Sequence, residues 1–238
     1  MMSTKPLLAV SLVEMIAADL QTKIIDEEFR AGDRLVIDSI ARLYNVSLVP
    51  VREALVRLHT QGLLTFVPNV GYRIAPALSA EDLDKLFEAR VVIEAGALRS
   101  AVRLGTPPDV GHLRELNDRM ARDRYETRNY ASFRQFIELN DAFHRGLVML
   151  SDNNFLVKAY DTLRFDVFAA RAMRARNIAI PKLIVEHEEI LTLLEAGSEA
   201  ALLTAIARHI MGSRTGLTRS DEESGAKLPH DESAGAPL

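Results

Sequence analysis

Three histidines carry the clearest hint of chemistry in this chain of 238 residues. His144 stands among Phe136, Ile137, Leu147 and Val148. His187 stands among Leu183, Ile184, Leu191 and Leu194, and His209 beside Leu202 and Ile206. At helical spacing each falls on an apolar, inward face, where a polar ring needs a partner. Asn140 precedes His144 by four residues, so the two share a face. Three imidazoles and one amide oxygen converging inside a helical bundle would hold a divalent metal ion, as bundle interiors do. Taken singly, each histidine also reads as a hydrogen-bonded core residue, and on the residues alone both readings stand. His59, His112 and His230 lack this setting.

A second constellation lies near the start of the chain. Ser47-Leu48-Val49-Pro50-Val51-Arg52-Glu53-Ala54-Leu55-Val56-Arg57-Leu58 reads as a short helix. Ser47 is a good N-cap, Pro50 falls in the first turn, Leu55 and Leu58 face the core, and Gly62 stops the helix. The helix delivers Arg52 and Arg57 to an outer surface. Arginine takes guanine O6 and N7 together, which suits it to reading bases. Arg34, Arg42 and Arg73 are placed to grip phosphates, contacts that fix register without reading sequence. Any one of these arginines reads equally well as ordinary solvated surface.

The elements around them give the arginines their meaning. Leu12, Ile16, Leu20 and Ile24 mark a first helix over 8–28, and Ile37, Ile40, Ala41 and Leu43 a second, ending near Tyr44-Asn45. After the third helix, Leu63 to Val67 and Tyr72 to Ala75 read as two short strands about Pro68-Asn69-Val70-Gly71. That order is a winged helix-turn-helix, a module that sets one helix in the major groove of DNA. Ala75-Pro76-Ala77-Leu78 is a linker, and Ser79 with Asp82 opens the next helix as a cap. From there to Gly216 the pattern predicts helices only: one ending at Gly105, then 108–127, 131–150, 154–176, 181–197 and 199–211. The predicted fold class is mainly α. Residues 8–76 form a winged helix-turn-helix, 79–212 an antiparallel all-α bundle, and 213–238, rich in Ser, Gly and acids, a disordered tail.

Composition sets the outer bounds. The net charge is −4, which excludes a uniformly basic protein but not a local basic surface. The chain has no cysteine, so disulfides and thiolate metal sites are excluded. No apolar run is long enough to span a membrane, and the first ten residues lack the features of a signal peptide; a cytoplasmic protein is expected. There is no phosphate-binding glycine loop and no nucleophile elbow. His187-Glu188-Glu189-Ile190-Leu191 begins like a zinc-protease helix, but Leu191 stands where the second histidine would be.

Residues 12–76 resemble the DNA-binding domain of the GntR family of bacterial transcription regulators. The resemblance rests on Ala31-Gly32-Asp33-Arg34-Leu35, Val46-Ser47, Pro50-Val51-Arg52-Glu53-Ala54-Leu55, Gly62-Leu63 and Gly71. It carries over Arg34, Ser47 and Arg52 first; with Leu48, Val49, Pro50 and Gly71 from the matched segments, and Arg57 and Arg73 from the helix and wing as read above, these make up the expected DNA-facing set. The family usually has Arg-Thr where this chain has Leu48-Val49, so an altered operator, with apolar contact to thymine methyls, or weaker binding is expected. Residues 79–212 resemble the FCD ligand-binding domain found in one GntR subfamily. Here the matching residues are Leu86-Phe87-Glu88-Ala89-Arg90, Glu94, Phe143-His144, Asn153, Glu186-His187 and Arg208-His209.

The second resemblance implies a divalent metal held by Asn140, His144, His187 and His209, with Asn140 at a position where aspartate is commoner. A set rich in imidazole nitrogen suits zinc or nickel better than magnesium or calcium. With no charged ligand, the cation would attract a small organic acid as effector, with Arg90 as its second anchor. Arg90 also reads as an ion pair with Glu94 one turn on. The expected protein is thus a homodimeric transcription regulator, in the repressing mode, acting on a palindromic double-stranded DNA operator without a membrane partner. Two alternatives are the same regulator with a metal-free, structural histidine cluster, and a metal-dependent hydrolase or lyase.

Overall fold

The computed structural model of the protein describes residues 11–105, 108–125, 130–173 and 178–218. The N-terminal part comprises α1 (Leu12–Ile25), α2 (Ile37–Tyr44), α3 (Leu48–Thr60), β1 (Leu64–Val67) and β2 (Gly71–Ile74). Ser11 caps α1 through a reciprocal pair of bonds with Glu14, satisfying free N–H groups at the helix start. The expected residues 8–10 of that helix lie outside the described ones. Asn45 ends α2 in the left-handed region and Gly62, at φ 78°, releases the chain from α3 into the wing. The strands pair antiparallel from Leu64 opposite Ile74 to Val67 opposite Gly71. The turn between them needs positive φ at Asn69 and at Gly71. Arg34 bridges to Arg73, whose guanidinium donates to the Gly32 carbonyl at 2.6 Å, so the 31–35 loop is tied to the wing. Ile16, Leu20 and Ile24 of α1 close over Val51, Ala54, Leu55 and Leu58 of α3, all buried.

The described elements of the second part are all helices: α4 (Ala80–Arg103), α5 (Gly111–Arg122), α6 (Tyr130–Met149), α7 (Asn154–Leu163), α8 (Phe165–Met173), α9 (Ile180–Glu195) and α10 (Glu199–Thr218). Its core holds Phe87, Phe133, Phe136, Phe143, Leu147, Leu191 and Ile206. No described helix is long and apolar enough to cross a membrane.

Two expectations are corrected. The single helix predicted over 154–176 is two, because Arg164 adopts the left-handed conformation at φ 50°. That conformation costs a non-glycine residue about 1–2 kcal/mol. Turning there buries Phe165, Val167, Ala169 and Ala170, which offsets it. The last helix does not stop at Met211 but continues to Thr218, so the first residues of the predicted tail are ordered. Arg214 forms a two-pronged ion pair with Asp84 of α4, holding those extra turns down. The rest of the predicted tail, 219–238, lies outside the described residues.

The two parts share their cores. Val167 of α8 is fully buried among the residues of the winged helix, while Ile25 of α1 belongs to the core of the bundle. The Tyr130 N–H donates to Asp26 at 2.9 Å, Gln21 donates to the Tyr130 hydroxyl at 3.1 Å, and Arg171 donates to the carbonyls of Ala75 and Pro76.

Candidate metal centre and nucleic-acid interface

His144 on α6, His187 on α9 and His209 on α10 meet in the middle of the bundle, exposed by 0, 0 and 2%. Nε2 of His209 lies 3.2 Å from Nε2 of His187 and 3.3 Å from Nε2 of His144. Every Nδ1 is engaged on the outer side. His144 Nδ1 meets Glu94 at 2.7 Å, His187 Nδ1 meets the Asn117 side-chain oxygen at 3.0 Å, and His209 Nδ1 meets Glu186 at 2.8 Å. Asn117 is itself oriented by donating its NH2 to the Ile184 carbonyl at 3.1 Å, which leaves its oxygen for His187. These acceptors assign the ring proton of each histidine to Nδ1. All three Nε2 lone pairs then point at one another with no hydrogen between them, an arrangement that repels itself unless a cation sits among them. Two imidazole nitrogens bound at about 2.0–2.1 Å in a tetrahedral set stand roughly 3.3 Å apart, so the spacing fits a shared transition metal.

The electrostatics agree with neutral rings. Burial pushes His144 and His187 well below the ordinary imidazole range, and the positive charge of Arg90 adds to that. His209 holds the Glu186 carboxyl down as a hydrogen-bonded carboxylate. Burial raises Glu94, with Arg90 pulling against it. Phe143 stacks on His187 at 4.1 Å between centroids and fixes its ring plane. Asn140 is buried one turn before His144 and makes no side-chain hydrogen bond among the described residues. It is therefore uncommitted to any other partner. Asp141, its neighbour, accepts from Tyr160 instead, and burial raises its carboxyl to about 6.

Arg90 is in the ion pair that the sequence offered as its plain reading: Nε donates to Glu94, whose other oxygen holds His144. Its guanidinium lies over the Phe165 ring, 3.9 Å from the centroid, and its buried Nη2 has no partner. A continuous line of contacts thus runs from His144 through Glu94 and Arg90 to Phe165, two residues before Val167. Asn117, Glu94 and Glu186 were not predicted as partners of the histidines. Glu94 and Glu186 stand among the residues that carry the FCD resemblance, whereas the one sequence signal of Asn117 is a polar residue inside an apolar stripe, between Leu113, Leu116 and Met120.

In the winged helix, Ser47 takes the N-cap position of α3 but makes no side-chain cap bond. The reason is local: the N3 residue is Pro50, which has no N–H to offer. Leu48, Val49 and Arg52 are exposed at the same end, with Pro50 partly covered. Arg52 has no ion pair or side-chain hydrogen bond among the described residues. Gly71 and Arg73 lie in the wing and Arg34 at its base. Arg57 is not brought together with this group. It lies half-way round the helix from Leu48 and 3.6 Å from Glu14 of α1, facing the joint between the domains.

Comparison with known proteins agrees with this architecture. Residues 12–74 match the gntR family of bacterial regulatory proteins, and residues 85–212 match the FCD domain. The Nta operon transcriptional regulator of Aminobacter aminovorans is 31% identical over 173 residues, 69% of this chain and 80% of that protein. The HTH-type transcriptional repressor RspR of Escherichia coli (strain K12) is 27% identical over 180 residues, 75% of this chain and 77% of that one. The solved structure of E. coli McbR/YncC superposes with a TM-score of 0.66 at 23% identity, covering 89% of this chain and 99% of that one, a likeness of fold. These relatives regulate transcription, which removes the hydrolase or lyase alternative. The protein belongs to the gntR family of bacterial regulatory proteins, as a DNA-binding transcription regulator whose winged helix-turn-helix is followed by an FCD domain.

Proposed function

We propose that this regulator is a homodimeric repressor of a palindromic operator, controlled by a small carboxylate bound at a divalent metal in the helical domain. The observation that carries the metal is the convergence of three Nε2 lone pairs, each ring held by an acceptor at Nδ1. Asn140 completes the ligand set from the same face of α6. Zinc or nickel suits these donors. The metal, when bound, supplies a positive charge with open positions for an anionic oxygen. Arg90 is the second anchor for the acid, through the Nη2 that lacks a partner. The repressing mode is taken from relatives such as RspR, and the palindrome from the two-fold symmetry that a dimer presents to DNA.

Regulation requires that the acid favour one arrangement of the DNA-reading parts over another. The line His144–Glu94–Arg90–Phe165 ends on α8, which is keyed into the winged helix by Val167. An acid that draws Arg90 toward the metal would alter its seat on Phe165 and hence the pose of α8.

Elemental analysis of tag-free protein, before and after chelator, tests the reading. About one transition metal per chain is expected, and none in a His144→Ala variant. Absence of metal, with no thermal stabilisation by added zinc or nickel, would instead make the histidines a structural cluster. Unchanged metal content in His144→Ala would refute the ligand set.

A further inference from the structure

The outer face of α3 carries three exposed aliphatic residues among its polar ones. At about 100° per residue, Leu48, Val49, Arg52 and Val56 share an arc of roughly 100°, apart from the arc on which Val51, Ala54, Leu55 and Leu58 are buried. Leu48 is 36% exposed, Val49 59% and Val56 50%. None of the three belongs to the hydrophobic core of the domain. In a winged helix-turn-helix the N-terminal residues of this helix meet base edges in the major groove. The one apolar group on that groove floor is the thymine C5 methyl. An aliphatic side chain set over guanine or cytosine would instead strip water from polar atoms and return no hydrogen bond.

We infer that Leu48 and Val49 read thymine methyl groups, and that the operator carries thymines at the positions facing this helix end. Arg52, four residues after Leu48 and without an ion pair or side-chain hydrogen bond among the described residues, supplies the hydrogen-bonded base contact alongside them. Ser47, whose hydroxyl Pro50 leaves without a cap bond, is free for the adjacent phosphate. The base preference at these positions is then set by shape and desolvation rather than by a donor–acceptor pattern.

The test begins with selection of bound duplexes from a randomised pool, using the full-length protein. Thymine enrichment at two neighbouring positions is expected. Replacing each enriched thymine by deoxyuridine removes only the methyl group and should weaken binding about fourfold per methyl, the worth of one buried carbon. A Leu48→Ala/Val49→Ala double variant should bind the thymine and deoxyuridine duplexes equally. Both sites are exposed helix positions where alanine is well tolerated, and an unchanged thermal midpoint checks the fold. The deoxyuridine comparison on the native protein does not depend on that variant. Enrichment of guanine or cytosine, no base preference, or equal affinity for both duplexes would overturn the inference.

Discussion

Replacing Asn117 by Ala separates a metal centre from a mere polar cluster. Asn117 is 3% exposed, with its oxygen 3.0 Å from His187 Nδ1 and its NH2 on the Ile184 carbonyl. In metal-free protein the substitution leaves the His187 N–H buried without an acceptor, which costs about 1–3 kcal/mol. It also releases the ring to place its proton on Nε2, where the metal would bind. Loss of such an orienting partner lowers metal affinity about 10–100-fold, or roughly 1.4–2.8 kcal/mol. Zinc at a hundred times the native dissociation constant stabilises the fold by about 2.7 kcal/mol, so the upper end of that loss removes most of the stabilisation. Asn117→Asp keeps an acceptor for Nδ1–H and adds negative charge, so it should bind zinc at least as well as the native protein. The assay is zinc titration against a chromophoric chelator, beside urea unfolding with and without chelator. If Asn117→Ala lowers stability in chelator yet binds zinc normally, or if Asn117→Asp binds as weakly as the alanine variant, the ring-orienting argument fails.

Three further outcomes are expected. Val167→Ala should destabilise the DNA-reading domain by about 2 kcal/mol, two methyl groups plus part of a cavity; urea unfolding followed by a probe in each domain should show both transitions moving together. Gly62→Ala places a Cβ at φ 78° and 3.1 Å from the Phe168 ring, so it should cost at least about 1 kcal/mol, and a Phe168→Ala background should recover part of that; no recovery would deny the contact. Burial holds His144 and His187 neutral in the fold, far below the ordinary 6.5. The unfolded rings take up protons below that pH while the folded ones do not, so stability of chelator-treated protein falls as pH drops from 6.5, by up to about 1.4 kcal/mol per pH unit for each ring. A flat profile between pH 8 and 5 would contradict the buried, neutral rings.

The winged helix was legible because its signals are local. Ser47, Pro50, Gly62 and Gly71 act through their own backbone, and the apolar spacing of α3 names its buried face without tertiary knowledge. The histidines were legible because a polar ring inside an apolar stripe stands out. Their supporting acceptors were not, since Asn117, Glu94 and Glu186 reach the rings across separations of 70, 50 and 23 residues. The break at Arg164 has no sequence signature either: arginine is an ordinary helix residue, and the burial of Phe165, Val167, Ala169 and Ala170, distant in sequence from their neighbours, selects the left-handed conformation. The extra turns of α10 run through Gly212, Ser213 and Gly216, which read as coil. The Arg214–Asp84 pair decides them from 130 residues away. Arg57 shows the converse, an exposed arginine on the reading helix whose orientation is set by Glu14 of α1.

The exchange of Val167 and Ile25 between the cores limits how far these parts are portable. A fragment ending at residue 76 would carry a void where Val167 sits, and an isoleucine at position 25 stripped of its neighbours. Grafting this DNA-reading head onto another sensor therefore requires α8, or an equivalent apolar plug, to travel with it. Recombination between relatives meets the same demand: the residues on both sides of this joint must be inherited as a matched pair, although the linker places them far apart in the chain.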